Sequence, residues 1–93
     1  MITQDYIQKL GINKEGTFGD DGYVIDLVDS KEYGKIFSIL EKSDQVNILE
    51  DNQVITDQGS SLTYEDENEP ILLNLLADFE NNIYQLVITE IND

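Results

Sequence analysis

The sequence predicts an α+β domain, with a short N-terminal helix and one amphipathic helix packed on an antiparallel β-sheet of about five strands. Three observations lead there. Tyr33, Ile36, Phe37 and Leu40 recur at i, i+3, i+4 and i+7, which is one apolar helix face. After residue 45 the apolar residues alternate or run in short stretches between Asn, Asp, Gly and Pro, the pattern of strands and turns. The chain has 93 residues and is 40% hydrophobic, enough for a single modest core and therefore one domain over 1–93.

Thr3 reads as the N-cap of the first helix, with Ile2 placed to staple onto Ile7. Tyr6, Ile7 and Leu10 share a face, and Gly11 followed by Ile12 reads as a C′ glycine with its trailing apolar contact. Gly16 to Gly22 reads as a turn region. Tyr23 to Val28 is nearly continuous in apolar residues and reads as a central strand. Asp29 or Ser30 caps the second helix, with Glu32 three residues after Asp29 as in a capping box. Ser43 and Asp44 end that helix. Val46 and Ile48 alternate, Asp51-Asn52 turns the chain, Val54-Ile55 follows, and Gln58-Gly59-Ser60 turns it again. Leu62 and Tyr64 alternate with polar neighbours. Ile71 to Phe79 and Ile83 to Ile91 are two long strands joined at Glu80-Asn81-Asn82, since Asn tolerates positive φ. Periodicity alone also allows a helix over 71–79; the β-branched partner segment and the short turn favour a strand.

Charge is the outstanding feature. Twenty acids face five basic residues, all Lys, and the net charge is −15. Lys9, Lys14, Lys31, Lys35 and Lys42 all lie in the first 42 residues, which net −3; residues 43–93 hold twelve acids and no base, netting −12. Such a surface repels nucleic acid and anionic lipid, so no direct nucleic-acid or membrane binding is expected. The absence of Arg removes the usual bidentate phosphate reader. No Cys is present, no apolar run approaches the ~20 residues of a membrane helix, and the N-terminus lacks a signal pattern. A cytoplasmic home is expected.

Catalytic motifs do not emerge. Without His or Cys there is no imidazole or thiolate chemistry, and among twenty acids any carboxylate pair can be drawn, so no catalytic residue is assigned. Gly16, Gly19 and Gly22 do not match a phosphate-binding loop, and Asp20 and Asp21 would repel phosphate. Counting an EF-hand frame back from Gly22, Gly59 or Gly34 puts Thr17, Val54 or Asp29 at its first position, and the last of these has Leu40 at its twelfth. No metal and no cofactor is expected, and the chain reads as a non-enzyme.

The acidic run Glu65-Asp66-Glu67-Asn68-Glu69 points to a partner of opposite charge. Were it to continue the strand from Leu62 and Tyr64, Glu65, Glu67 and Glu69 would lie on one side at about 6.6 Å spacing, near the spacing of backbone phosphates. The expected contact set is Glu50, Asp51, Asp57, Glu65, Asp66, Glu67, Glu69, Asp78 and Glu80, with Tyr64 and Tyr84 available as aromatic anchors. The expected function is an acidic inhibitor that mimics nucleic acid and blocks the basic DNA- or RNA-binding cleft of an enzyme, in the manner of phage anti-restriction and anti-CRISPR proteins. The alternatives are an immunity protein or antitoxin neutralising a basic toxin such as a nuclease, and an acidic adaptor domain. A homodimer would lengthen the charged track, although no residue demands one.

Overall fold

The computed structural model describes residues 4–20 and 22–91. Two helices lie on one face of a seven-stranded antiparallel sheet. The elements run α1 (Gln4–Lys9), β1 (Thr17–Gly19), β2 (Gly22–Leu27), α2 (Ser30–Lys42), β3 (Val46–Ile48), a 3₁₀ turn (Glu50–Asn52), β4 (Val54–Ile55), β5 (Gly59–Asp66), β6 (Ile71–Asp78) and β7 (Ile83–Glu90). The strand order is β1-β2-β7-β6-β5-β3, with β4 also pairing β5. The class is the expected α+β, but there are seven strands and not five. One unforeseen strand is β1: the glycine-rich stretch read as a turn folds back on β2 as a tight hairpin, Thr17 opposite Val24 and Phe18 opposite Tyr23.

The helix ends follow from their local chemistry. Gly11 has φ +92°, Ile12 N–H donates to the Ile7 carbonyl at 3.2 Å, and Gly11 N–H donates to Gln8 at 2.9 Å. That is a complete Schellman stop. The proposed Thr3 cap and Ile2 staple lie outside the described residues. Asp29 caps α2, its carboxylate accepting from Glu32 N–H at 2.9 Å. The Glu32 carboxylate reaches back to Val28 N–H at 3.4 Å and pairs with Lys14. In α2 the buried stripe is Ile36 and Leu40 with Tyr33 and Ile39 against it; Phe37 sits at its margin, 37% exposed.

Residues 71–78 are strand, as expected. The β6–β7 turn contains Asn82 at φ +53°, the conformation its sequence favours. Alternation then sorts the sheet into two faces. Ile25, Leu73, Leu75, Leu86 and Ile88 point to the helices and are fully buried. Three core tyrosines find partners for their hydroxyls. Tyr6 donates to Asp66 at 2.6 Å, Tyr23 to Gln4 at 3.0 Å, and Tyr64 to Glu41 at 2.9 Å. Each tyrosine thereby ties a helix to the sheet while keeping its polar tip satisfied.

Candidate functional site

The edge of the sheet beside β5, formed by β3, the 3₁₀ turn and β4, gathers the acids together with β5 and its turns. Glu65 stands exposed on β5 opposite Asn47 of β3 and Leu72 of β6. Glu67 and Glu69 follow in the turn to β6, with Glu67 accepting from the Asn47 amide at 2.6 Å. Glu50 and Asp51 occupy the 3₁₀ turn, which Leu49 N–H fastens to the Thr63 carbonyl midway along β5 at 2.8 Å. Asp57 lies in the β4–β5 turn. Phe79 N–H donates to the Gln58 carbonyl at 2.8 Å, so the β6–β7 turn bearing Asp78 and Glu80 adjoins it. The eight residues of β5 put the two ends of this edge about 23 Å apart.

Eight of the nine predicted contact residues are therefore on this edge or at its ends, and seven of them are exposed, with Asp78 half-buried. The ninth, Asp66, is in the interior, 7% exposed. Its Oδ2 accepts from the Tyr6 hydroxyl at 2.6 Å and the Gln45 amide at 3.1 Å, and its Oδ1 from the N–H groups of Asn68 and Glu69 at 2.8 and 3.0 Å. Burial alone would raise its pKa, but the bonds from Tyr6, Asn68, Gln45 and Glu69 outweigh it and hold the carboxyl below its ordinary value. Asp66 holds α1 and the loop before β3 to the β5–β6 turn.

The expected straight row of Glu65, Glu67 and Glu69 does not form. β5 ends at Asp66, because the inward carboxylate accepts from the N–H groups two and three residues on, those of Asn68 and Glu69, and turns the chain. Glu65 stays on the strand while Glu67 and Glu69 sit in the turn. The two expected aromatic anchors are buried as well, Tyr64 at 1% and Tyr84 at 8% exposure. Tyr64 is pushed far above the ordinary phenol range, first by burial and then by the neighbouring Glu41 carboxylate. The exposed aromatic at the edge is Phe79, between Asp78 and Glu80.

Electrostatically the edge is one-sided. No lysine lies between residues 43 and 93, so none stands on β3 to β7 or in the turns between them. Lys9, at the end of α1, lines a cleft with Asp44, Asp66 and Glu69. Among the described residues one ion pair forms, Lys14 with Glu32, on the opposite side of the fold. Asp78 is lowered by the Asn81 side chain and backbone N–H, and so remains ionised well below neutral pH.

Sequence reasoning missed Gln53. Where the 3₁₀ turn bows away from β5, its amide replaces a strand residue: Oε1 accepts from Thr63 N–H at 3.3 Å, and Nε2 donates to the carbonyls of Leu49 and Thr63. This closes an otherwise open ladder and holds Glu50 and Asp51 outward.

Among the described residues no helix is long and apolar enough to cross a membrane, and no three carboxylates converge as a metal site. No family model, curated protein or solved structure matches this chain.

Proposed function

We propose that this protein inhibits a nucleic-acid-binding enzyme by presenting the acidic edge beside β5 to the enzyme's basic cleft. The observation that carries the reading is the edge itself, where eight solvent-accessible acids span about 23 Å with no lysine on the strands that bear them. Carboxylates held on short turns and strand ends substitute for phosphates as partners of Lys and Arg. Long-range attraction then steers the encounter, and salt weakens it.

A second reading, an immunity protein against a basic toxin, draws on Phe79. Its exposed ring flanked by Asp78 and Glu80 is the aromatic-in-acid arrangement of a tight, cognate interface.

The test uses immobilised protein and a bacterial lysate, at low and moderate salt, with and without duplex DNA. The mimic reading requires capture of a nucleic-acid enzyme that duplex DNA displaces. It also requires that the variant Glu50→Gln/Asp51→Asn/Glu65→Gln/Glu67→Gln lose that capture with a melting temperature no lower than that of the wild type. Equal capture by the variant would sink the proposed edge. Capture of a single toxin-like protein that DNA does not displace would favour the immunity reading.

A further inference from the structure

We infer that the uncovered face of the sheet is a docking surface for a cationic protein surface with an apolar centre, and that it works together with the acidic edge. Antiparallel sheets with one solvated face ordinarily turn polar side chains outward. Here Val24, Leu72, Leu76, Val87, Ile83 and Val54 all point away from the helices, by their alternation with the buried positions of their strands and by register. Val24 lies opposite Val87, and Leu76 opposite both Gln85 and Ser61, which brings Val54 into the same row. A shallow depression of about 320 Å³ runs over Val24, Leu76 and Val87, with Asn74, Gln85 and Thr89 around it.

The charges on this face commit it to one kind of occupant. Asp26 flanks it on β2, Asp78 closes it at the end of β6, and Glu65 on β5 joins it to the acidic edge. No lysine stands on β2, β5, β6 or β7; Lys14, in the loop before β1, borders the face beside Val24 and Asp26 and is paired with Glu32. An apolar centre bounded by carboxylates complements an apolar patch bounded by Lys or Arg. A second copy is the poorer occupant. With strands about 4.8 Å apart the face offers roughly 500 Å², below the roughly 800 Å² per partner of a standard interface. A two-fold pairing would also set these acids against their own copies on chains of charge −15.

The inference rests on the acidic-edge reading, and two synthetic peptides of equal positive charge separate them. One carries Lys spaced by Ser and Gly; the other carries the same Lys with Leu at i, i+3, i+4 and i+7. Both are titrated into the protein by fluorescence anisotropy and by amide NMR at low salt. The Leu-bearing peptide is expected to bind at least about tenfold more tightly, with the largest shifts at Val24, Leu76 and Val87. The variant Val24→Thr/Leu76→Thr/Val87→Thr should lose that preference and still bind the Lys-Ser-Gly peptide as before. The single change Val87→Thr, nearly isosteric, should lose part of it with the fold intact. Equal affinity for the two peptides, or a preference that survives the Thr changes, overturns the inference and leaves the edge standing. Failure of both peptides to bind overturns the edge reading, and this inference with it. A stable dimer in sedimentation that the Thr changes dissociate would assign the face to a second copy and overturn the cationic occupant.

Discussion

Replacing Asp66 with Asn exchanges one oxygen of a fully engaged carboxylate for an amide nitrogen, and no orientation of that amide suits its surroundings. Oδ2 faces two donors, Tyr6 hydroxyl and Gln45 amide, and Oδ1 faces two more, the N–H groups of Asn68 and Glu69. Either way round, an NH₂ group meets two donors in a buried site. Two bonds to a charged acceptor are lost at about 1.5–3 kcal/mol each, but rotation of the Tyr6 hydroxyl and a flip of Gln45 recover part, leaving about 2–3 kcal/mol. For a chain of this size that lowers the melting temperature by roughly 10–20 °C. Thermal unfolding at pH 7 followed by circular dichroism reads it directly. The pH dependence has a definite sign. Because the folded-state pKa is depressed, the Asp66 contribution is present in full above the ordinary carboxylate value near ~3.9 and is lost as pH falls through the lower folded value. The gap between wild type and Asp66→Asn should thus be flat from neutral pH to about pH 5 and close below about pH 4. A variant melting within a few degrees of wild type at pH 7 would refute the view of Asp66 as a structural tie.

Other outcomes follow from the same geometry. Stability should rise between 20 mM and 0.5 M NaCl, and with mild acidification toward about pH 5, because both relieve repulsion among the acids; a melting temperature indifferent to salt contradicts a concentrated acidic edge. Gly34 lies within α2 with no atom inside 4 Å of an added Cβ, so Gly34→Ala should stabilise by about 0.5–1 kcal/mol, read by urea denaturation. Gln53→Ala removes the acceptor for Thr63 N–H and should cost about 1–2 kcal/mol; amide exchange at Thr63 should quicken more than at Leu73.

Elements with local instructions were legible in the sequence. Helix α2 carries its cap, capping-box residue and apolar stripe within fourteen consecutive positions, Asp29 to Lys42, and the β6–β7 hairpin announces itself in Asn81-Asn82. The acids were legible as a charged surface but not as individuals. Asp66 resembles its four neighbours in composition, and only its placement two and four residues after Tyr64 and Leu62 marks it as inward-facing, a signal masked by the expectation that acids face water. The same alternation buries Tyr64. β1 was hidden because its glycines argue for a turn, whereas it is the register of β2 that recruits them. Gln53 could not be read locally, since its role is set by a gap in a ladder ten residues away. The uncovered face was hidden in the near-continuous apolar runs of β6 and β7, which do not say which of their two sides a helix covers.

The pairing of β2 with β7 joins residues that lie 57 to 65 positions apart, as in Leu27 opposite Tyr84 and Tyr23 opposite Ile88. β7 is hydrogen-bonded to β2 on one side and β6 on the other, yet it is the last of these seven strands to emerge during synthesis. The hairpins of residues 59–90 can form early from near neighbours, while β1, β2 and α2 wait for the final strand before their apolar sides are covered. The slow step expected from this topology is the docking of the lysine-bearing half onto the acid-rich half. Both halves carry net negative charge, −3 for residues 1–42 and −12 for residues 43–93, so salt should speed that docking as well as stabilise the finished fold.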